Sequence, residues 1–469
     1  MRTDLVELVK PGKKVFFVGI GGVGMSALAR ILAARGLAVA GSDAKPSRNT
    51  KRLESEGIPV TIGHHSSFTK PPDWLIYSSA ISRANTDFSR GQSIGIPIFH
   101  RAEVLAHLMN RVISLAITGA HGKTTSAAFA AFLMTRAGLK PTCMVGGEIL
   151  NFGTNAIIGD PHLFVAEVDE SDRSQLHFSP DFAMITNLDA EHLDVYRDIL
   201  DIKDSFRRFV DQVKASGRVV YCADDLHLRD IMANTATGAT SYGLKSEADF
   251  HAREIVLEGF ASRYVLFERG TRIGEVRLRI PGVHNVMNSL GVIAMLRCFG
   301  LRYDQFIHFT SEFRGAGRRL EVKLNREDLL VIDDYAHHPT EVNAALKAIR
   351  ELGKKTTAIF QPHRFSRTAY LANEFSNAFQ CADRVLLTDI YGAGEDNPNQ
   401  VNVNVIYEAV KRSGHPDVHV VRRSEIIDFL VAHRSPDEAI AFLGAGDIGE
   451  IADDFASRFG QPASQASIS

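Results

Sequence analysis

The sequence predicts an α/β protein of three domains. Rossmann-like parallel sheets at both ends flank a central α/β domain that carries a phosphate loop and a small antiparallel sheet. Three observations lead there. Short apolar runs alternate with helical stretches along most of the chain, the pattern of parallel, doubly wound sheets. Glycine loops follow three of those runs, beginning at Gly19, Gly119 and Gly444. The length of 469 residues exceeds what one hydrophobic core usually supports, so roughly three domains are expected.

The first domain, residues 1–111, opens with KVFFV (Lys14–Val18), which runs into the loop GIGGVGM. A helix is expected over residues 26–35, then strands over 37–40, 74–78 and 96–99. The second domain, 112–312, starts with the strand 112–118, passes through GAHGKTT and enters a helix rich in Ala and Phe. Strands follow at 163–167 and 183–187. Between 250 and 280 short alternating runs with turn residues suggest a small antiparallel sheet, and Val283–Phe299 returns to helix. The third domain, 313–469, has strands at 329–332, 357–360, 384–387, 418–421 and 439–443. The small polar tail after Gly460, QPASQASIS, is expected to be disordered.

Composition narrows the function. Hydrophobic residues at 45% and charged residues at 23% are ordinary for a soluble protein. A formal net charge of −2 without a dense Lys/Arg block argues against nucleic acid as a partner. No apolar run is long enough to span a membrane, and residues 1–14 lack a signal-peptide pattern, so a cytoplasmic location is expected. Cys143, Cys222, Cys298 and Cys381 are scattered without CxxC pairing and fit reduced thiols.

The central loop carries the strongest chemical signal. Gly119, Ala120, His121, Gly122, Lys123, Thr124 and Thr125 lie where a strand turns into a helix. Such a turn aims backbone N–H groups and a helix N-terminus at phosphate. Lys123 would reach the terminal phosphates and the Thr124 hydroxyl would ligate Mg²⁺. The usual GxxxxGK[ST] spacing needs glycine where this chain has Ile117. The loop is expected to be exposed, so losing Lys123 should end turnover without unfolding the protein. Downstream, Glu167, Asp169, Glu170 and Asp172 crowd one strand end, and Asn187, Asp189, Glu191, His192 and Asp194 another. Ligands sit outside the carboxyl ends of parallel strands. Any one of these side chains is equally well read as a solvated loop residue.

The terminal loops create a rival reading. Gly19, Gly21 and Gly24 match GxGxxG, and Asp43 follows 19 residues after Gly24. Alone this is a fair NAD fingerprint, although any nucleotide diphosphate can use such a backbone. A second GxGxxG, at Gly444, Gly446 and Gly449, is followed by room for one helix only. Glycine loops therefore recur here without each implying NAD, which weakens a dehydrogenase reading.

Taken in order, GIGGVGMSALA, ITGAHGKTT, VAEVDESD, TNLDAEHLDVY, PGVHNVMN, DDYAHHPTEV, PHRFSRT and GAGDIG closely resemble the Mur ligases, from about Val15 to Ile451. Within the family the likeness is greatest to members that add L-alanine to UDP-N-acetylmuramate. The resemblance implies a UDP-sugar domain, a central ATPase of P-loop type and an amino-acid domain, with ATP and Mg²⁺ as cofactors. It implies Gly19, Gly21, Gly22, Gly24, Ser42, Asp43, Ser78 and Ser79 for the UDP-sugar. Lys123 and Thr124 serve the ATP phosphates and the first Mg²⁺, with Glu167 at the metals and His192 facing a second Mg²⁺. His284, Asn285, Asn288 and Arg319 resemble the adenine and phosphate side. Tyr335, His337, His363, Arg364 and Arg367 resemble the amino-acid end.

The chain departs from the pattern at Ala120, where relatives usually have Thr, and no lysine is matched to the carbamylated lysine of some members. The reaction implied is phosphorylation of a carboxylate to an acyl phosphate, followed by attack of an amine. His337 or His363 would take the amine's proton, or either is simply a structural imidazole. Other readings stand beside this one: a murein-peptide recycling ligase of the same family, a folate-type polyglutamate ligase, an NAD-dependent dehydrogenase, and a non-catalytic ATP switch.

Overall fold

The computed structural model describes residues 5–65, 68, 70–192, 195–245 and 247–460; Asp194 and the polar tail after Gly460 lie outside them. Three sheets organise the chain, in keeping with the α/β class expected.

The first sheet is wholly parallel and has five strands, in the spatial order Val60–Ile62, Ala38–Asp43, Lys14–Val18, Trp74–Tyr77, Ile98–His100. KVFFV is apolar on both faces because it is the central strand, covered from both sides. Chain order reverses between Lys14–Val18 and Trp74–Tyr77, and such a switch point opens a crevice at the strands' carboxyl ends. The loop beginning at Gly19 leaves the sheet there.

The central sheet has ten strands: Thr271–Leu278, Ala261–Glu268, Phe250–Glu258, Ala239–Gly243, Arg218–Cys222, Phe182–Ile185, Ile113–Thr118, Asp160–Glu167, Pro141–Ile149 and Thr154–Ile157. Ile113–Thr118 is parallel to both of its neighbours, so the phosphate loop and the two acidic strand ends leave from the same edge. The strands between 250 and 278 are joined by two-residue links, which only antiparallel pairs can use. This meander continues the central sheet, because Tyr242 and Gly243 pair in parallel with Phe250 and His251. Helix Lys123–Arg136 is buried on nearly every side. Its KTTSAAFAAFLMTR sequence shows no amphipathic stripe for that reason, and Phe129 and Phe132 pack on Phe313 with ring centroids 4.8 and 5.6 Å apart.

The third sheet runs Glu321–Asn325, Leu329–Asp334, Glu438–Leu443, Lys355–Phe360, Arg384–Leu387, Val418–Val420, with only the first strand antiparallel. Alternate residues feed opposite cores: Leu330, Ile332, Ala439 and Ala441 join one, and Leu329, Val331, Ile440 and Phe442 the other. That period of two, apolar on both faces, is what helices on both sides of a parallel sheet require.

The chain divides into two compact units. The first comprises Met1–Glu254, Val265–Val276 and Met287–Phe313; the second comprises Ile255–Tyr264, Arg277–Val286 and Arg314–Ser469. Within the first unit, polar contacts stitch the five-stranded sheet to the central one. Arg30 donates to Thr154 Oγ1 at 2.7 Å, Asn155 Nδ2 to the Val23 carbonyl at 2.8 Å, and Arg101 pairs with Asp169 at 2.9 Å. Among the described residues no helix is long and apolar enough to cross a membrane, and all four cysteines are free.

Candidate functional site

The phosphate loop is held by its backbone. Gly119 has φ +123°, and a Cβ there would lie 2.3 Å from Thr186 Oγ1 and 2.9 Å from the Asn187 carbonyl. Gly122, at φ +84°, caps the start of helix Lys123–Arg136, and a Cβ there would lie 2.4 Å from Asn288 Oδ1. At Gly119 a side chain would meet backbone, and at both places the positive φ favours glycine. Between the glycines, Ala120 N donates to the Asn187 carbonyl at 3.0 Å and His121 N to Asn187 Oδ1 at 2.8 Å. Asn187 Nδ2 returns a bond to the His121 carbonyl at 3.1 Å. The cradle is thus set by main-chain groups and one asparagine, and alanine at position 120 leaves it intact. His121 Nε2 lies 3.1 Å from Asp189.

Lys123 is not exposed: its side chain is 14% accessible. The ammonium donates to the carbonyls of Gly119 at 2.6 Å and Ala120 at 2.9 Å, and to Glu170 Oε1 at 2.9 Å. Burial works against its charge, but Glu170, Asp169 and Glu167 outweigh burial and raise its pKa. Glu170, 5% accessible, is itself pushed up by burial, with Lys123 pulling the other way. Asp169 is held down at about 2, because Arg101 and Lys123 overcome the burial that opposes its ionisation.

Two sets of cation donors surround this lysine. Thr124 Oγ1 donates to Glu167 Oε2 at 2.9 Å, and Gly146 N donates to the same oxygen at 2.8 Å. Glu170, Glu191 and His192 each offer one atom, all within 4.8 Å of one another, and Glu170 Oε2 is buried without a hydrogen-bond partner. Carboxylate and hydroxyl oxygens suit a hard cation such as Mg²⁺. His192, which has φ +56°, lies 3.7 Å from Glu170 and 3.8 Å from Glu191. For Glu170, Glu191 and Asn187 the sequence offers only the crowded strand ends of the DESD and TNLDAEH runs.

In the first glycine loop, Gly21 N donates to Asp43 Oδ2 at 2.8 Å and Asn49 Nδ2 to the Gly21 carbonyl at 2.8 Å. Gly19 N and Ile20 N both donate to the Ser42 carbonyl. Gly22 caps helix Val23–Ala34, and Gly24 in its first turn sits against the Arg101 guanidinium. The Ser42 hydroxyl is buried and donates to Asp87 at 2.7 Å, so it supports the sheet edge. Ser78 accepts a bond from Ile81 N at 3.0 Å. Ser79 donates to Asp172 and lies 3.2 Å from His100 Nε2. The third glycine loop is filled by the chain itself: Arg318 donates to the carbonyls of Gly444 at 2.6 Å and Gly446 at 3.0 Å.

Of the residues expected around the adenine, Asn288 belongs to the first unit, beside Gly122. His284, Asn285 and Arg319 belong to the second. Burial, aided by Arg319, lowers His284 to about 4. Asn285 Nδ2 donates to the Pro281 carbonyl at 2.8 Å, and Arg319 lies 3.8 Å from Glu341.

The residues expected at the amino-acid end do come together in the second unit. The Tyr335 and His337 rings are 5.4 Å apart, His337 and His363 5.8 Å, and Arg318 and Arg319 each lie 5.2 Å over Tyr335. Arg367 Nη1 approaches His363 Nδ1 at 3.4 Å. Burial lowers His337 to about 3 and His363 to about 4, with Arg367 adding to both, so both imidazoles are neutral at pH 7. His337 Nδ1 faces the Tyr335 carbonyl at 2.9 Å and must carry its proton, which leaves Nε2 as an acceptor.

Comparison with known proteins agrees along the whole chain. Family models described as "Mur ligase family, catalytic domain", "Mur ligase middle domain" and "Mur ligase, glutamate ligase domain" match residues 14–112, 117–296 and 318–446. The chain is 41% identical to the UDP-N-acetylmuramate--L-alanine ligase of Gloeobacter violaceus, covering 99% of each. It is 39% identical to that of Geotalea uraniireducens, covering 94% of this chain and 96% of the relative. The crystal structure of UDP-N-acetylmuramate-alanine ligase from Thermotoga maritima superposes with a TM-score of 0.82 at 29% identity, covering 95% of this chain and 99% of that one. With its loops, its paired acidic strand ends and its full-length likeness, the chain belongs to the Mur ligase family.

Proposed function

We propose that this chain is an ATP-dependent carboxylate–amine ligase that joins L-alanine to UDP-N-acetylmuramate in peptidoglycan precursor synthesis. The observation that carries the reading is the phosphate loop, with Lys123 anchored at a buried helix start between two sets of carboxylates. The 1–111 segment takes the UDP-sugar, 112–312 takes ATP and 313–469 receives the amino acid.

A carboxylate is a poor electrophile, so an oxygen of the sugar's carboxylate first attacks the γ-phosphorus and ADP leaves. The amine then attacks the acyl carbon, and phosphate departs with the electron pair of the C–O bond. Lys123 and the helix N–H groups balance charge on the moving phosphoryl group. Thr124, Glu167 and the Glu170–Glu191–His192 set would hold Mg²⁺, which neutralises phosphate charge when bound. The incoming ammonium loses its proton to solvent before it attacks, and neutral His337, protonated on Nδ1, presents Nε2 as a hydrogen-bond acceptor that orients the amine. Arg364 and Arg367 receive the amino acid's carboxylate, which a guanidinium grips with two parallel hydrogen bonds.

Phosphate release from ATP is the test. It should require UDP-N-acetylmuramate, Mg²⁺ and L-alanine together. Release with an alanine-headed peptide but not with free alanine would favour the recycling ligase. Reduction of NAD⁺ by a hydroxy acid without ATP would refute the ligase altogether.

A further inference from the structure

The chain beyond strand Arg384–Leu387 returns beside the PHRFSRT turn and grips it. Tyr391 N donates to the Pro362 carbonyl at 2.8 Å, and Arg364 N donates to the Tyr391 carbonyl at 2.8 Å. His363 and Tyr391 form an isolated parallel bridge, and their rings stack 5.7 Å apart at 11°. Arg364, between them and the short helix Phe365–Tyr370, has φ +70° and ψ 133°. A long side chain rarely adopts that backbone, and such strain persists only where surrounding contacts enforce it.

Glu395 supplies the enforcing contacts on the side-chain side. One carboxylate accepts from Ser366 N at 3.1 Å, from Ser366 Oγ at 2.7 Å and from Arg364 Nε at 2.5 Å. It is 18% accessible, and nothing in the reaction scheme uses it. An anion can accept from three donors at once and also balances the guanidinium; a neutral amide offers one oxygen and no charge.

We propose that Glu395 is a positioning residue for the amino-acid substrate: by tying the Arg364 guanidinium to Ser366, it fixes the orientation in which Arg364 receives the substrate carboxylate. The inference rests on Arg364 being an amino-acid ligand in the proposed ligase reaction. Glu395 sets where the arginine points and is not itself touched by substrate.

Steady-state kinetics on the full chain decide it, with alanine varied at saturating ATP and UDP-N-acetylmuramate. Glu395→Gln keeps shape and loses charge, so KM for alanine should rise about tenfold, the scale of one charge-assisted hydrogen bond. KM for ATP and kcat should stay within about twofold, which general destabilisation would not produce. Ser366→Ala removes one anchor and keeps the ion pair, and should raise KM for alanine less. In an Arg364→Lys background, Glu395→Gln should add little, because both act through one group. An unchanged alanine KM in folded Glu395→Gln, or full additivity with Arg364→Lys, would overturn the proposal. A lowered alanine KM would do so as well, showing that Glu395 competes with substrate. Wild-type protein without alanine-dependent phosphate release would bring down the ligase reading and this inference together; alanine-dependent release with an indifferent Glu395→Gln brings down this inference alone.

Discussion

Replacing Lys123 with methionine tests the central site at two levels at once. The sequence reading expects an exposed loop and a folded protein when Lys123 is lost, as in Lys123→Ala. The structure corrects this, since the side chains of Lys123 and Glu170 are 14% and 5% accessible and their charges meet at 2.9 Å. Methionine keeps most of the stem's volume but strands the carboxylate of Glu170 beside Asp169. Breaking a buried pair on one side costs about 3–5 kcal/mol. Glu170 can escape part of that cost by taking a proton, because burial already raises its pKa. An acid whose folded pKa lies above its unfolded one stabilises the fold at low pH, and stability falls as pH rises through the folded value. Lys123→Met should therefore melt roughly 5–10 °C below wild type at pH 8, and less far below it at pH 6. The double variant Lys123→Met/Glu170→Gln should recover most of the loss while remaining without turnover. Thermal unfolding at both pH values, with phosphate release alongside, is the assay. A single variant as stable as wild type at pH 8, or a double variant no better than the single, would refute the buried-pair argument.

Further outcomes are expected elsewhere. Gly119→Ala forces a Cβ within 2.9 Å of backbone atoms at φ +123°; strain of about 1–3 kcal/mol should distort the cradle, and KM for ATP should rise while a variant with normal ATP kinetics would contradict the geometry. His337 and His363, lowered to about 3 and about 4, bind fewer protons folded than unfolded, so their contribution to stability should grow as pH rises from about 4 to about 6.5. Their NMR titrations should show no inflection between pH 5.5 and 8, and an inflection near neutrality in either would contradict the burial that keeps them uncharged. Asp43→Ala should weaken UDP-sugar binding about tenfold by calorimetry, through loss of one charge-assisted bond to Gly21, and full-length protein should bind NAD⁺ poorly with or without Asp43.

What was legible in the sequence was whatever depends on local chemistry. KVFFV, the strand ending at Thr118, the helix Val283–Phe299 and the five parallel strands of the third sheet all announce themselves by apolar runs bounded by turn residues. Pro141–Ile149 and Thr154–Ile157 did not, because a proline, two glycines and polar residues break the apolar run and a register shift interrupts their pairing. Glu321–Asn325 is half polar because it lies at a sheet edge. The site residues split the same way. Loop glycines and Lys123 carry a motif, whereas Glu170, Asn187 and Glu395 matter through partners 47, 66 and 29 positions away. Such partnerships leave no local mark on a single sequence.

The tie between Asp43 and Gly21 has a kinetic side. Together with the Asn49 bond and the two bonds to the Ser42 carbonyl, it gives the first glycine loop its shape during folding, before any ligand arrives. On the proposed reading, a diphosphate would meet a finished surface and would not have to order one, so little of its contact energy would go into restraining the protein. Capture should accordingly be a single, concentration-linear step, with affinity set by how long the ligand stays. Removing the carboxylate would convert the loop into an ensemble in which only a fraction is receptive, and apparent affinity would fall by that fraction. Stopped-flow traces would then show capture slowing, while the residence time of molecules already bound changed far less.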